Sequence, residues 1–157
     1  MESRPFRILG VQQIAVGALD RSRLRRLWVD LLGLESRGEF RNEVENVDGE
    51  LATIGAGPFA VDLNILEPVD LDRAPRPHQP ALNHVGLWVD DMPAAIEWLS
   101  AHGLTFTERG VRRGAAGHDV CFIHPKHGGE GVLIELIQAP PELVGEFDRM
   151  RDGTRPG

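Results

Sequence analysis

The chain has 157 residues, of which 41% are hydrophobic and 26% charged, and a formal net charge of −7 at pH 7. This acidic balance argues against a phosphate-backbone binder, because neutralising phosphates requires clustered Lys and Arg. No apolar run approaches the roughly 18 residues needed to cross a bilayer, and the N-terminal stretch lacks the apolar segment of a secretory signal. A single cysteine, Cys121, cannot form an internal disulfide, which suits a reducing compartment. These features predict a cytoplasmic globular protein that binds neither nucleic acid nor a membrane.

An internal repeat organises the chain. The segment QIAVGALD at 13–20 resembles HVGLWVDD at 84–91, and VDLNILEP at 61–68 resembles VLIELIQA at 132–139. Both pairs lie 71 residues apart, so one register shift aligns two separate segments. The sequence therefore predicts a duplicated unit.

The first half begins with a strand near 13–18, where apolar and polar or small residues alternate. Asp20 and Ser22 are candidate caps for a following helix, and Gly33 is expected just past its end. The apolar residues at helical spacing between them are Leu24, Leu27, Trp28, Leu31 and Leu32. Short β-rich runs then predict strands near 36–42, 47–54 and 59–67.

The second half repeats this order. A strand alternates from His84, Asp91 is a candidate helix cap, and Gly103 is expected to close the helix. Strands are predicted near 104–112, 118–124 and 131–138.

The pattern predicts an α+β fold made of duplicated βαβββ modules, with a curved sheet and the helices outside. We expect one domain at 8–139, built from repeats at 8–68 and 82–139. A proline-rich linker is expected at 69–81. The tail at 140–157 is expected to begin with a short helix and to end disordered in RDGTRPG.

Four polar residues occupy symmetric positions in the repeat. Gln13 and His84 lie on the first strand of each half, and Asn64 and Glu135 on the last. If the halves pair about a pseudo-twofold axis, these groups converge among small and apolar residues, as in a metal or substrate site. Taken singly, His84 also suits a hydrogen-bonded structural role, and Gln13 and Asn64 suit solvent-facing strand positions. Glu135 interrupts the apolar run GVLIELI, where a buried carboxylate is costly unless it is paired or metal-bound.

The chain resembles the methylmalonyl-CoA epimerases of the glyoxalase, bleomycin-resistance and dioxygenase superfamily, whose fold is called vicinal oxygen chelate. The second half carries the resemblance in LNHVGLWVDDMPAAIEWLSAHGL at 82–104 and GAAGHDVCFIHPKHGGEGVLIEL at 114–136. The first half is more loosely similar, through QIAVGALDRSRLRRLWVDLLGL at 13–34 and NILEP at 64–68.

The resemblance implies a divalent metal ion, Co, Mn, Ni, Mg or Zn, held by His84, Glu135, Gln13 and Asn64. Gln13 stands where the epimerases usually have His, and Asn64 replaces the usual Gln, His or Glu. Because an amide oxygen is a weaker donor than imidazole or carboxylate, weaker metal binding is expected. Without metal, the same groups could form a hydrogen-bonding substrate site.

The resemblance further implies an enzyme that moves the α-proton of a carboxylated acyl-CoA, with the metal stabilising the enolate. Glu135 would be one base, and Glu45 or Glu43 is the nearest match for a second base in the first half. A solvated strand face is the alternative for these first-half glutamates. The superfamily also implies a homodimer.

Cations near a Gly-rich turn form a second candidate site. His124 and Lys126 precede Gly128 and Gly129, and Arg113 lies close in sequence together with Arg112. Lys126, His124 and Arg113 are therefore candidates for binding a substrate carboxylate or CoA phosphate. A hairpin with solvated charges explains them equally.

Two other functions remain open. A glyoxalase-type isomerase or lyase would use the same scaffold to stabilise an enediolate. A non-enzymatic drug-binding protein would suit the acidic balance and the two amides. An extradiol dioxygenase is disfavoured, because its iron site needs two His ligands and only one of the four positions is His.

Overall fold

The structure, a computed structural model, describes residues 3–153. These residues form eight strands and three helical segments. The strands are β1 (Ile8–Gly17), β2 (Glu35–Asn42), β3 (Val47–Ile54), β4 (Val61–Pro68), β5 (Leu82–Val89), β6 (Arg112–Arg113), β7 (Asp119–Ile123) and β8 (Ile134–Gln138). The helices are α1 (Arg21–Arg25, continued by a π-helical stretch at Arg26–Leu31), α2 (Met92–Ala101) and α3 (Pro141–Arg151).

The order β-α-β-β-β occurs twice, which confirms the α+β fold class and the two βαβββ modules. The described residues form two compact units, one of residues 12–85 and the other of residues 3–11 with 86–153. The division falls inside β1 and β5 rather than in the segment 69–81. The boundaries expected for the repeats, 8–68 and 82–139, stay a prediction.

The unit of residues 12–85 has the strand order β2-β3-β4-β1. Strands β1 and β4 pair in parallel, with Ala15 opposite Asn64, and β3 pairs antiparallel with β4. One sheet face is apolar: Ala52, Leu63 and Ile65 are fully buried there and pack against side chains of the first helix, including Leu24 and Trp28. Because side chains alternate between faces, Gln13 and Asn64 project from the opposite face.

The second unit has the strand order β5-β8-β7-β6. Its core contains Val89, Cys121 and Leu136 together with Met92 and Ala95 of α2. Asp91 caps α2 by accepting a hydrogen bond from the N–H of Ala94, as its sequence position predicts.

The first helix departs from the expected pattern. Asp20 caps it by accepting from the Ser22 N–H and hydroxyl, and these bonds lower the pKa of Asp20. After Arg25 the helix widens into a π-helical stretch, with bonds such as Leu32 N–H to the Leu27 carbonyl. A π-helical turn takes more residues than an α-helical one, so the α-helical spacing of the apolar residues does not hold through it. Of the five apolar residues predicted for the helix, Leu27, Leu31 and Leu32 are exposed.

The strand predicted at 104–112 is wrong for most of its length. Phe106 makes an isolated bridge to Ile123, and only Arg112–Arg113 forms a strand. Between them the chain turns, with the Gly110 N–H donating to the Thr107 carbonyl and Gly110 at φ +57°. The left-handed glycine breaks the alternating pattern that suggested a strand.

The C-terminal segment contains α3. Arg7, near the N-terminus, binds α3 and the end of β5 within the second unit. The Arg7 guanidinium donates to Asp90 and to Asp148, both at 2.7 Å. The disorder predicted for RDGTRPG falls largely on residues 154–157, outside the described residues. Among residues 3–153 no helix is both long and apolar enough to cross a membrane.

Candidate functional site

Three of the four symmetric polar residues meet on the helix-free face of the unit of residues 12–85. The Asn64 amide Nδ2 donates to Gln13 Oε1 at 2.9 Å. Gln13 Nε2 lies 2.8 Å from His84 Nε2. The other ring nitrogen of His84, Nδ1, lies 2.8 Å from Oδ1 of Asn83. The duplication therefore predicted a true convergence of these three side chains.

Glu135, the fourth residue, lies on β8 in the other unit. It pairs with Phe122 of β7 and is 7% exposed, so a carboxylate is buried in this sheet. Leu136 and Cys121, the next pair, face α2, which places Glu135 on the helix-free face. Burial, and secondly the nearby Glu135 carboxylate, raise the pKa of Cys121 to about 12.

Arg112, rather than the predicted Arg113, shares the sheet face of Glu135. Arg112 pairs with Val120, two residues before Phe122, so these side chains point to the same side. The Arg112 guanidinium lies 5.0 Å from the Phe122 ring centroid. Arg113 points the other way, is exposed and pairs with Asp119 at 3.2 Å.

The other predicted cations lie in the turn after β7. Lys126 is exposed, and its N–H donates to Nδ1 of the half-buried His124 at 3.1 Å. The rings of His124 and His127 are 4.6 Å apart. Their predicted role in substrate binding stays a prediction.

Glu43 and Glu45 lie in the turn between β2 and β3. Glu43 is exposed and pairs with Arg41. Asn64 pairs with Leu51 of β3. The turn with Glu43 and Glu45 lies beyond Val47, four residues farther along β3, so about 13 Å of strand at ~3.3 Å per residue separates it from the level of Asn64. A nearer acid is Asp62, two residues from Asn64 on the same face of β4; it accepts from Gln12 and Arg37.

Sequence reasoning passed over two buried polar residues of this unit. Glu50, 2% exposed, lies on the helix-facing side, where it accepts from Ser36 and pairs with Arg25 at 3.2 Å. Asn46 is fully buried and binds the segment 69–81 through its side chain. Glu50 directly precedes the apolar Leu51 and Ala52 in a predicted strand, which was a usable signal, whereas nothing in the sequence distinguished Asn46.

Within the unit of residues 12–85, Gln13, Asn64 and His84 offer two neutral amides and one imidazole, a donor set that by itself suits only a weakly held divalent cation. Within residues 3–153 no three His, Cys, Asp or Glu side chains form a metal-binding group, so such a site depends on the two amides. The Gln13 amide turns its nitrogen to His84 and its oxygen to Asn64, so the Gln13 oxygen is already hydrogen-bonded within the site.

Solved structures with a similar fold include methylmalonyl-CoA epimerases. The Mycobacterium tuberculosis enzyme has a TM-score of 0.69 and 22% identity, over 88% of this chain and 93% of that one. A Streptomyces coelicolor epimerase variant, solved with 2-nitronate-propionyl-CoA, has a TM-score of 0.70 and 24% identity, over 85% and 99%. A hypothetical protein from Bacillus halodurans C-125 has 0.69 and 19%, over 87% and 96%.

No curated protein matches the chain significantly in sequence. The sequence profile of the Glyoxalase/Bleomycin resistance protein/Dioxygenase superfamily matches residues 12–122. The profile spans most of both modules and includes Gln13, Asn64 and His84. The chain belongs to the Glyoxalase/Bleomycin resistance protein/Dioxygenase superfamily.

Proposed function

We propose that the protein is an isomerase that exchanges the α-proton of a carboxylated acyl-CoA, as methylmalonyl-CoA epimerases do. The observation that carries this proposal is the convergence of Gln13, Asn64 and His84 on one sheet face, at positions the resemblance assigns to metal ligands. Structural neighbours support the substrate class, since one epimerase was solved in complex with methylmalonyl-CoA.

A divalent ion, when bound by His84, Glu135, Gln13 and Asn64, would supply a Lewis acid for the thioester oxygen. Glu135 is the proposed base, because the resemblance assigns it that role and its carboxylate is buried in the sheet of its unit, where water is largely excluded. Glu45 or Glu43 remains the second base that the resemblance suggests. Asp62 is the alternative that geometry favours, since it lies on the strand and face of Asn64.

Arg112 is the proposed contact for the substrate carboxylate. It lies on the sheet face of Glu135 and against Phe122, so it can orient an anion beside the base. Lys126, His124 and Arg113 are proposed as outer contacts for the CoA phosphates. A cytoplasmic homodimer is part of the same proposal, and light scattering of the purified protein tests the dimer.

A small-molecule binding protein is the second candidate. The side chains of Asn64, Gln13, His84 and Asn83 form a continuous row of hydrogen bonds with neutral donors and acceptors, which suits a site for a neutral polar ligand. A glyoxalase-type isomerase would need the metal and would act on a different substrate.

The deciding experiment measures deuterium uptake at the α-carbon of methylmalonyl-CoA in heavy water. Chelated protein is compared with protein resupplied with cobalt, manganese, nickel or magnesium. We expect metal-dependent exchange that Glu135→Gln abolishes, and loss in one of Glu45→Gln, Glu43→Gln or Asp62→Asn identifies the second base. No exchange with any metal would overturn the assignment for this substrate.

A further inference from the structure

The main-chain carbonyl of Pro77 determines the direction of the hydrogen bonds in the site. A carbonyl oxygen can only accept, so the Asn83 amide nitrogen, 3.2 Å away, must be the atom that faces Pro77. Asn83 Oδ1 is then the atom that faces Nδ1 of His84 at 2.8 Å. Because an amide oxygen also only accepts, Nδ1 of His84 must carry the proton.

The same reasoning applies to the remaining hydrogen bonds of the series, those of His84 Nε2 and Gln13. In the neutral imidazole a protonated Nδ1 leaves Nε2 as an acceptor, and Gln13 must present its amide nitrogen to it, as the 2.8 Å contact has it. Gln13 Oε1 is then turned to Asn64, whose amide nitrogen donates at 2.9 Å. Four hydrogen bonds therefore run in one direction, from Asn64 to Pro77.

The Pro77 carbonyl is held in place by close packing. A Cβ on Gly17 would lie 2.0 Å from the Pro77 oxygen, so the segment 69–81 approaches β1 as only glycine permits. The Gly17 N–H donates to the Ala81 carbonyl at 2.7 Å, and Pro77 is buried. The carbonyl is thus fixed against the strand that carries Gln13.

We propose that Asn83, held by the Pro77 carbonyl, is a positioning residue that fixes His84 in the Nδ1–H tautomer and presents its Nε2 lone pair to the site. The segment 69–81 is then a part of the site and not only a connector. The role of Nε2 in binding a cation rests on the proposed function, since Nε2 is the ring atom that would bind the ion. The assignment of the Nδ1–H tautomer does not rest on the proposed function.

Two-bond ¹H–¹⁵N correlation spectra of the imidazole rings test the proposal in the full-length, metal-free protein. The measurement is made at about pH 8.5, well above the ordinary imidazole pKa of ~6.5. The His84 signals are assigned by their loss in His84→Gln. We expect a protonated Nδ1 and an unprotonated Nε2 for His84 in the wild type.

Asn83→Ala should release this preference and give His84 a mixture that contains the Nε2–H tautomer. Asn83→Asp should keep the proton on Nδ1, because a carboxylate accepts from the same nitrogen, although it can no longer donate to the Pro77 carbonyl. Asn42→Ala, on the exposed strand β2, is the matched control and should leave His84 unchanged. If Asn83→Ala does not fold, the wild-type spectrum and Asn83→Asp still decide.

Manganese binding gives a second readout. Asn83→Ala should weaken it by about 10- to 100-fold, the usual effect of losing a partner that orients a ligating His. A wild-type His84 protonated at Nε2, or a tautomer unchanged in a folded Asn83→Ala, would overturn the proposal. A changed tautomer with no manganese binding in either protein would uphold the positioning role and overturn the metal role in the proposed function.

Discussion

Asn46 should be one of the most sensitive positions of the first unit, although it takes no part in the proposed chemistry. It is fully buried at a left-handed φ of +56°. Its amide nitrogen donates to the carbonyls of Asp70, Arg73 and Pro75 at 2.9, 2.9 and 3.0 Å, and its oxygen accepts from the Asp70 N–H at 2.8 Å. One side chain therefore binds the segment that contains Pro77.

The expected cost of Asn46→Ala follows from these contacts. The amide nitrogen has two hydrogens for three carbonyls, so with the accepted bond the side chain makes the equivalent of three full hydrogen bonds. Most of the released groups belong to exposed residues and can reach water, so about 1 kcal/mol per lost bond is appropriate, or about 3 kcal/mol for the network. Alanine in the left-handed region adds about 1 kcal/mol. The total, about 4 kcal/mol, corresponds to a fall in Tm of roughly 8 to 16 °C for a chain of this length.

Urea denaturation of the two alternative substitutions separates these contributions. Asn46→Gly loses the bonds without the backbone penalty and should be about 1 kcal/mol more stable than Asn46→Ala. Asn42→Ala, which removes one exposed hydrogen bond to the Glu45 N–H, should cost less than about 1 kcal/mol. Trypsin should cleave after Arg73 faster in Asn46→Ala than in the control. A loss below about 1.5 kcal/mol for Asn46→Ala would refute the network reasoning.

Three further predictions concern the second unit. Arg112→Gln should raise KM for a carboxylated acyl-CoA about 10- to 100-fold, the loss of a charged hydrogen bond, whereas Arg151→Gln, at the exposed end of α3, should change it less than about twofold; equal effects in steady-state kinetics would contradict the assignment. Cys121, with its pKa raised to about 12 by burial, should react with a thiol reagent at pH 8 only as fast as the protein unfolds, and burst labelling of folded protein would contradict this. The hydrogen bond from Arg7 lowers the pKa of Asp148 in the folded state, so its stabilising effect is present above the ordinary value near pH 4 and is lost as pH falls through the folded pKa. Urea midpoints of wild type and Asp148→Asn should therefore differ at pH 7 and converge in acid, and a constant difference would contradict this.

The repeat made much of the fold predictable. Strand β3 was predicted at its observed bounds, 47–54, because alternation and flanking turn residues mark both ends. The 71-residue offset also brought Gln13 and His84 together before any geometry was known. Long-range symmetry succeeded here because duplicated modules place equivalent strand positions on equivalent faces.

Local backbone geometry was less predictable. The π-helical stretch at Arg26–Leu31 needs bonds to the fifth residue, and the spacing of Leu27, Leu31 and Leu32 fits an α-helix equally well. Residues 104–111 alternate as a strand would, but Gly110 turns the chain. In both places the pattern of apolar residues fits two backbone conformations, so the sequence alone could not distinguish them.

The orientation of the Gln13 and Asn64 amides could be predicted even less from the sequence. The sequence places Gln13 and Asn64 at the site, yet whether each presents oxygen or nitrogen depends on the Pro77 carbonyl, 64 residues from Gln13 in the chain. In the observed direction each of the four hydrogen bonds from Asn64 to Pro77 joins a donor to an acceptor. A cation that took the Nε2 lone pair of His84 would have to displace the Gln13 N–H that now donates to it. The segment 69–81, which sets the direction of these hydrogen bonds through Pro77, would then affect the affinity for a cation as well as the ligands themselves.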